Sequence, residues 1–413
     1  MKNLLFTEAP LGPVLLRNRS IRSAAFEGMC PGNKISEDLV NYHVSVAAGG
    51  IGMTTVAYAS VSVSGLSFSH QLLITREEMP AMRRLTDAIH REGAAAAIQI
   101  GHCGLMAKRS LSGKCLAPSG RFNLYGPTFP KTISPDEIQS IVRDFGIAAK
   151  IVSDAGFDAV EVHAGHGYLI SQFLSPYTNK RTDQYGGSFV NRSRFMVEAI
   201  REVIKSVTPN VAVLVKMNLR DGFRGGMEID ESIEVARLLE KEGVHGLVLS
   251  GGFVSKAPMY VMRGSMPVKI MAHYMNNPWM KFGTRYFGKF LMKAEPFSEA
   301  YFLDDALKIR AEVSLPLIFV GGLKSRAVIE KVLDRGFEFV QMARALINDP
   351  GFINKLRTGE IVESSCNSSN YCIAKMYSAR MTCFQHEQCL PEKWRMDLEK
   401  KQVNRETARR PRI

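Results

Sequence analysis

The densest group of proton-carrying side chains in this sequence follows a short apolar run. His163, His166 and Tyr168 lie within six residues, directly after the run that begins at Ala159. Such a run is typical of a parallel strand that is covered on both faces, and the glycines between the three polar residues allow a sharp turn. We expect the two imidazoles and the phenol to lie together at the C-terminal end of this strand, where they can share or donate protons.

The spacing of the two histidines is compatible with two kinds of site. Residues three apart can ligate a metal ion. We see no cysteine or carboxylate nearby that completes a ligand set, and no metal site is assigned. We therefore interpret His163 and His166 as a hydrogen-bonding pair that holds the carbonyl oxygen of a substrate and stabilises the charge that develops on it.

Residues 159–192 resemble the signature of the old yellow enzyme family of FMN-dependent ene-reductases, HxxHGYLxxxFLSPxxNxRxDxYGG, at nearly every position. The resemblance covers residues 1–390 and implies an NAD(P)H oxidoreductase that reduces activated C=C bonds, such as those of enones, enoyl-CoA thioesters or 3-ketosteroids. It implies hydride transfer through flavin N5. Tyr168 would be the general acid, because a phenol with a pKa of about 10 can transfer a proton to the α-carbon.

Eight apolar runs, separated by segments of helical periodicity, are expected to position these residues. The expected strands are 20–25, 51–58, 94–100, 158–163, 211–217, 246–250, 315–320 and 339–344. Ser134 and Glu137 predict a capping box at the start of one helix, and Asp230 is expected to cap another that ends near Gly243. Eight alternating units favour an α/β fold of the (β/α)8 TIM barrel type over a doubly wound sheet.

Two strand ends are implied by the resemblance to hold the flavin ring. Gln99 would bond the pyrimidine edge, since an amide can donate and accept together; a capped strand end is the alternative. Lys216 is a cation within an apolar strand and needs a negative partner. The resemblance implies the N1/O2 edge of the reduced flavin as that partner, which we favour over a buried salt bridge to an acidic neighbour.

The last two barrel strands are expected to bind the phosphate of FMN. Gly321 and Gly322 end the seventh strand, and Ala343 and Arg344 end the eighth. Glycines let the backbone approach a phosphate, and Arg344 adds a charged fork.

The first and second strands are expected to cover the flavin. Ala24, Ala25 and Phe26 should line its outer face, although many relatives carry a Thr or Cys near Phe26 that bonds the flavin. Ser60 would stand near the N5/O4 edge.

A segment rich in cysteine follows the barrel. In the branch similar to 2,4-dienoyl-CoA reductase, four cysteines hold an iron-sulfur cluster. Here Cys366, Cys372 and Cys383 are present, but Ser369 stands where the second cysteine would be. A cluster therefore lacks one ligand unless Cys389 replaces it. We favour free thiols, with zinc or a labile cluster as the alternatives.

The sequence carries a formal net charge of +13, concentrated in a middle segment and in the tail after Pro391. A solvated basic face is the favoured interpretation, followed by an acidic ligand and then by anionic lipid. No recognised nucleic-acid-binding motif accompanies the charge, so nucleic acid is not an expected partner. The absence of a long apolar run and of a signal-peptide core predicts a cytoplasmic enzyme with no transmembrane segment.

Two parts of the chain are expected. Residues 1–357 form the FMN-binding barrel, within which 253–299 form a lid-like excursion over the mouth, and 358–413 form an extension with cysteines and a basic tail. A substrate lid, a membrane-contacting flap and an oligomer interface are alternative roles for the excursion, and we expect a homo-oligomer. The alternative functions are a flavin-dependent dehydrogenase or demethylase that passes electrons to a carrier, and a non-catalytic flavin-carrying docking subunit.

Overall fold

The computed structural model describes residues 3–120, 122, 129–275, 277–292, 294–376, 380–388 and 390–399. Its strands are β1 (Ala9–Leu11), β2 (Val14–Leu16), β3 (Ser20–Arg22), β4 (Met53–Ser60), β5 (Ala95–Gly101), β6 (Leu116–Ala117), β7 (Lys131–Thr132), β8 (Ala159–His163), β9 (Ala212–Asn218), β10 (Gly246–Ser250), β11 (Leu317–Val320) and β12 (Phe339–Met342). Its helices are α1 (Glu37–Ala48), α2 (Met79–Arg91), α3 (Arg109–Ser112), α4 (Pro135–Asp154), α5 (Leu169–Leu174), α6 (Phe189–Ser206), α7 (Ile229–Lys241), α8 (Pro258–Val261), α9 (Val268–Tyr274), α10 (Pro278–Leu291), α11 (Leu303–Arg310), α12 (Arg326–Asp334), α13 (Arg344–Asn348), α14 (Phe352–Thr358) and α15 (Tyr371–Lys375).

Eight parallel strands close into a barrel. Strands β3, β4, β5, β8, β9, β10, β11 and β12 follow one another around it, and β12 pairs with β3 to close it. Each of these strands falls within or beside one of the eight expected runs. The prediction of a (β/α)8 barrel is therefore confirmed, and the strand ends that carry the candidate site residues all meet at one mouth.

Inward-facing residues form layers inside the barrel because side chains alternate along a strand. Near the N-terminal ends, Ala97 and Ala159 pack with Leu11 of the β1–β2 hairpin, which covers that end of the barrel. Two residues further along the same strands, the inward positions are Gln99 and Glu161, which are hydrogen-bonded to each other. A polar layer therefore lies between the apolar bottom and the open mouth.

Local sequence signals set the ends of the barrel helices. Ser134 accepts a hydrogen bond from the Glu137 amide and Glu137 bonds back to the Ser134 amide, so the predicted capping box at α4 is confirmed. The prediction that Asp230 caps α7 is wrong, because Glu228 occupies the N-cap and Asp230 lies in the first turn. An acidic residue also stabilises the first turn by facing the exposed amides of the helix dipole.

The long excursion after β10 and the chain after α14 pack together. Ile270 and Met271 of the excursion share an apolar cluster with Tyr371, Phe384 and the end of the described chain. Of the expected basic tail, residues 400–413 lie outside the described residues, as does Cys389. Within the part of the chain that the structure describes, no helix is long and apolar enough to cross a membrane.

Candidate active site

A cavity of about 1290 Å³, including the space open to solvent, lies at the C-terminal mouth of the barrel. Most of the side chains that the sequence proposes for one site meet here. The expected residues that line it are Ala24, Ala25, Phe26, Gln99, His163, His166, Tyr168, Lys216, Gly321, Gly322, Ala343 and Arg344. The size and the mixture of apolar walls with a few polar groups are typical of a cofactor or substrate site.

His163, His166 and Tyr168 form a cluster on one wall of the cavity. The His163 ring centroid lies 5.0 Å from that of His166 and 4.6 Å from that of Tyr168. The turn after β8 brings them together, with His166 in the left-handed region at a φ of 58°. The His166 amide donates to Asn218 Oδ1 at 2.9 Å, and its Nε2 lies 2.7 Å from Ser250 Oγ, so neighbouring strands hold the turn in place.

Both imidazoles are neutral near pH 7. Burial lowers the pKa of His166 to about 3, and the Lys216 ammonium contributes to the decrease. The pKa of His163 is also far below its ordinary value because the ring is buried and lies close to His166 and Lys216. Each neutral ring carries one N–H donor. His163 lines the cavity, and its Nδ1 is buried with no hydrogen-bond partner among the described residues.

Tyr58 is a cavity residue that the sequence reasoning missed. Its ring centroid lies 4.9 Å from that of Tyr168, and both rings line the cavity. The Tyr58 hydroxyl also lies 3.0 Å from Ser67 Oγ. Tyr58 sits on β4 in an apolar run, and its role follows only from its closeness in the fold to Tyr168 in the turn after β8, which the sequence does not show.

Lys216 has an acidic partner within the barrel. Its Nζ lies 2.8 Å from Glu161 Oε1, and both side chains are buried. The barrel itself thus supplies a countercharge for this buried ammonium, which is the alternative that the sequence analysis ranked second. Lys216 also lines the cavity, so its contact with a flavin stays a prediction. Burial lowers the pKa of Lys216, and the attraction of Glu161 opposes that decrease.

Glu161 is the centre of the polar layer beneath the cavity. It accepts hydrogen bonds from Gln99 Nε2 at 2.6 Å and from Gln341 Nε2 at 2.8 Å, in addition to the Lys216 contact. Gln341 Oε1 is left buried with no partner in the described structure. Glu161 could have been found from the sequence, because its position on β8 places it on the same face as His163.

Glu161 also bears on the metal alternative for the histidine pair. It is a carboxylate two residues before His163 that the sequence reasoning overlooked. Its oxygens are bonded to Gln99, Gln341 and Lys216. No group of three or more His, Cys, Asp or Glu side chains that could hold a metal ion exists among the described residues.

The opposite end of the cavity is basic. Arg344 Nη1 donates to the Arg263 carbonyl at 2.7 Å and to Asn370 Oδ1 at 3.0 Å, and its guanidinium lies 5.2 Å from the Phe297 ring centroid. Within the described ranges, no carboxylate forms an ion pair with Arg344. A cation held by neutral groups at a cavity edge is suited to an anionic ligand.

Gly321 and Gly322 lie beside this basic end. Gly322 has a φ of 74°, and a Cβ built on it would lie 2.7 Å from a ring carbon of Tyr301. Only glycine fits between the β11 end and the Tyr301 ring at this position.

Ala24, Ala25 and Phe26 line the wall that follows β3. The Phe26 ring stacks on Phe68 with centroids 5.0 Å apart and also lies 5.4 Å from Tyr58. The segment therefore presents an aromatic and methyl surface to the cavity, without the hydroxyl or thiol that the resemblance led us to consider.

Ser60 does not line the cavity. Its hydroxyl donates to the Ser62 carbonyl at 2.7 Å, and the side chain is fully buried behind the β4 end. The irregular register between β4 and β5 after Val56 shifts this strand end, and Tyr58 lines the cavity instead.

The cysteines after the barrel lie close to the site. Cys366 and Cys372 line the main cavity, and both line a smaller neighbouring cavity together with Cys383. All three are free thiols, and burial raises the pKa of Cys372 to about 12. Ser369 lies among them, with its amide bonded to Asn367 Oδ1. The described chain offers no metal or cluster site here.

Comparison with known families gives one match that covers most of the chain. Residues 4–285 match the model of the NADH:flavin oxidoreductase / NADH oxidase family. Among characterised proteins, the chain is 40% identical over 378 residues to the 4,4'-dithiodibutanoate disulfide reductase of Rhodococcus erythropolis, covering 91% of this chain and 93% of that protein.

Two further comparisons concern length and fold. The chain is 30% identical over 373 residues to the NADH oxidase of Thermoanaerobacter brockii, which covers 89% of this chain but spans only 52% of that relative. The structure is similar to the old yellow enzyme homologue from Zymomonas mobilis with a TM-score of 0.69 and 20% identity, covering 91% of this chain and 97% of the other. The second comparison supports the barrel fold.

Proposed function

Because the chain belongs to the NADH:flavin oxidoreductase / NADH oxidase family and is an FMN oxidoreductase, we propose that it reduces activated C=C bonds next to a carbonyl group at the expense of NAD(P)H. The observation that carries this proposal is the cluster of His163, His166 and Tyr168 on one wall of the cavity. A non-catalytic docking subunit would need none of these three side chains.

The residues around the cavity fit FMN. At the polar layer, Gln99, Lys216 and the unpartnered oxygen of Gln341 offer a donor, a cation and an acceptor to the edge of a heterocycle. At the basic end, Arg344 and the backbone at Gly322 would hold a phosphate. When bound, FMN supplies hydride chemistry between NAD(P)H and the substrate.

The chain's own groups then bind and orient the substrate. His163 and His166 each have one N–H with which to hold a carbonyl oxygen, and the neutral rings make these donors available without an added charge. Tyr168 would deliver the proton to the α-carbon from its phenol oxygen. Tyr58 would hold the Tyr168 hydroxyl in place through their contact.

A second candidate function is the reduction of an organic disulfide. The relative that is 40% identical over nearly its whole length is named a 4,4'-dithiodibutanoate disulfide reductase. The same cavity could admit such a dicarboxylate, because Arg344 and Lys324 line it and the side chains that line it include no carboxylate. In that case Tyr168 would protonate a leaving thiolate in place of a carbon.

Anaerobic product analysis separates the two candidates. The FMN-loaded protein is supplied with NADH or NADPH and with a panel of enones, enoyl-CoA thioesters, 3-ketosteroids and dicarboxylic disulfides, and products are identified by mass spectrometry. The main proposal predicts a saturated carbonyl compound from at least one alkene class. Disulfide cleavage without reduction of any alkene would contradict it and favour the second candidate.

A further inference from the structure

Helix α10 in the excursion presents a stripe of aromatic side chains to solvent. Trp279, Tyr286 and Phe290 are 84%, 65% and 77% exposed, and Phe282 lies beside Tyr286 with ring centroids 4.6 Å apart. Their spacing of three and four residues places them on one face of the helix. Monomeric proteins rarely expose a continuous apolar surface of this kind without a partner.

The other side of α10 attaches it to the protein. Gly288 is buried, and a Cβ built on it would lie 2.6 Å from Val268 Cγ1 of α9. Helix α9 in turn contributes Ile270 and Met271 to the cluster that contains Tyr371. The helix is therefore fixed through the face that carries Gly288, and the aromatic stripe is directed away from the body of the protein.

Cations flank the aromatic stripe. Lys281 and Arg285 are exposed and lie four residues apart, on the flank of the helix between Phe282 and Gly288. Residues 278–291 contain no aspartate or glutamate. The N-terminus is capped by a neutral side chain, since Asn277 Oδ1 accepts from the amides of Trp279 and Met280. The exposed surface of α10 is thus aromatic and positively charged.

We propose that α10 docks onto an anionic membrane surface, lying in the plane of the interface with its aromatic stripe among the lipid headgroups. Trp and Tyr favour this region because their rings are apolar and their N–H and O–H groups remain hydrated. Lys281 and Arg285 would then meet the lipid phosphates. At 14 residues the helix is too short to cross a bilayer.

A second copy of the chain fits this surface less well. Two aromatic stripes packed by two-fold symmetry would bring the cations of both helices together, and α10 carries no acidic residue to compensate them. An anionic lipid surface supplies that compensation. Docking of α10 is independent of the reaction in the cavity.

Tryptophan fluorescence tests the proposal directly, because the chain contains only two tryptophans. In the FMN-loaded Trp394→Phe variant the remaining indole is Trp279. Vesicles of phosphatidylcholine with phosphatidylglycerol should shift its emission to the blue, and brominated lipid should quench it. Vesicles of phosphatidylcholine alone, or high salt, should weaken binding because the cations are screened.

Co-sedimentation with the same vesicles gives the second measurement. The double variant Trp279→Ser with Phe290→Ser should lower partition by at least about tenfold, because two aromatic rings no longer enter the interface. The matched control is Leu15→Ser, an exposed apolar residue on the hairpin at the other end of the barrel, which should bind as the parent does. Absence of vesicle binding would overturn the proposal, as would a dimer in sedimentation velocity that the double variant abolishes.

Discussion

Two neutral imidazoles, and not imidazolium ions, face the cavity. Burial keeps the pKa of His166 at about 3 and that of His163 far below its ordinary value, so pH changes near neutrality do not alter their charge. A neutral pair can hold a carbonyl oxygen while the proton comes from a separate group. Division of the work between the histidines and Tyr168 is therefore the central feature of the site at the residue scale.

Replacement of Tyr168 by phenylalanine tests that division. We expect the substrate to be reduced roughly a hundredfold or more slowly, since positioned proton transfer contributes at this level. Reduction of the bound flavin by NAD(P)H should change little, because it needs no proton from this phenol. Anaerobic stopped-flow measures the two half-reactions separately, with Tyr58→Phe as the matched control and a smaller expected effect. Equal losses in both half-reactions would show that Tyr168 is not the acid.

The buried pair of Glu161 and Lys216 is tested by a double-mutant cycle. Glu161→Gln alone should lower the free energy of unfolding by roughly 3–5 kcal/mol, because it leaves a buried ammonium without its countercharge. Lys216→Met alone should also destabilise the fold. The double variant should be less destabilised than the sum of the two, as urea unfolding can measure. Strict additivity would mean that the two charges do not interact.

At the scale of elements, the apolar runs separated by segments of helical periodicity were enough to predict all eight barrel strands. Side-chain alternation along β8 places Glu161 on the same face as His163, but the sequence does not give the register that sets Lys216 of the neighbouring strand β9 opposite His163. Cross-strand register supplies that information: His163 pairs with Lys216, and Gln99 pairs with Glu161. Ser60 was expected beside the cavity but does not line it, because the register irregularity between β4 and β5 after Val56 cannot be seen in the sequence.

The capping box of α4 is an element whose energy can be measured. Ser134→Ala removes the side-chain acceptor for the Glu137 amide, and a lost cap of this type costs about 1 kcal/mol. Thermal or urea unfolding should show this decrease. The matched comparison is Ser188→Ala at the N-cap of α6, where the serine side chain accepts one hydrogen bond and no side chain returns a second one. An unchanged stability for Ser134→Ala would contradict the role of the box.

At the scale of the whole molecule, the cavity is completed by parts of the chain that lie far apart in sequence. Val254, Met262 and Phe297 of the excursion form one wall, and Met376 and Met381 form another. The Met381 amide donates to the Glu27 carbonyl at 2.7 Å, which links the segment after α15 to the loop after β3. No local pattern predicts such a wall, because it depends on how two irregular segments pack together.

Several buried histidines make the stability of the whole fold depend on pH. Burial lowers the pKa of His102 and of His166 to about 3, whereas both titrate near 6.5 in the unfolded chain. The unfolded chain therefore binds more protons below pH 6.5. Stability from these groups is complete above that pH and decreases as the pH falls toward 3, by at most about 1.4 kcal/mol per unit for each residue.

The variant His102→Gln isolates one of these contributions away from the site. The His102 ring accepts a hydrogen bond from the Gly104 amide and contacts Ser64 Oγ. Because the variant loses this ring, it should be less stable than the parent at every pH. Between pH 6.5 and about pH 5, however, the free energy of unfolding of the variant should decrease by up to about 2 kcal/mol less than that of the parent. Urea unfolding at several pH values measures both curves, and parallel curves would contradict the assignment.

The most direct test of the central claim is an anaerobic absorbance spectrum of the purified protein, followed by addition of NADH or NADPH. The account predicts a stoichiometric FMN spectrum that the nicotinamide bleaches and that one class of activated alkene restores. Weakened flavin binding in Arg344→Ala, a residue of the basic end of the cavity, should accompany it. A protein that takes up no FMN on reconstitution, or a bound flavin that NADH and NADPH leave oxidised, would contradict the account.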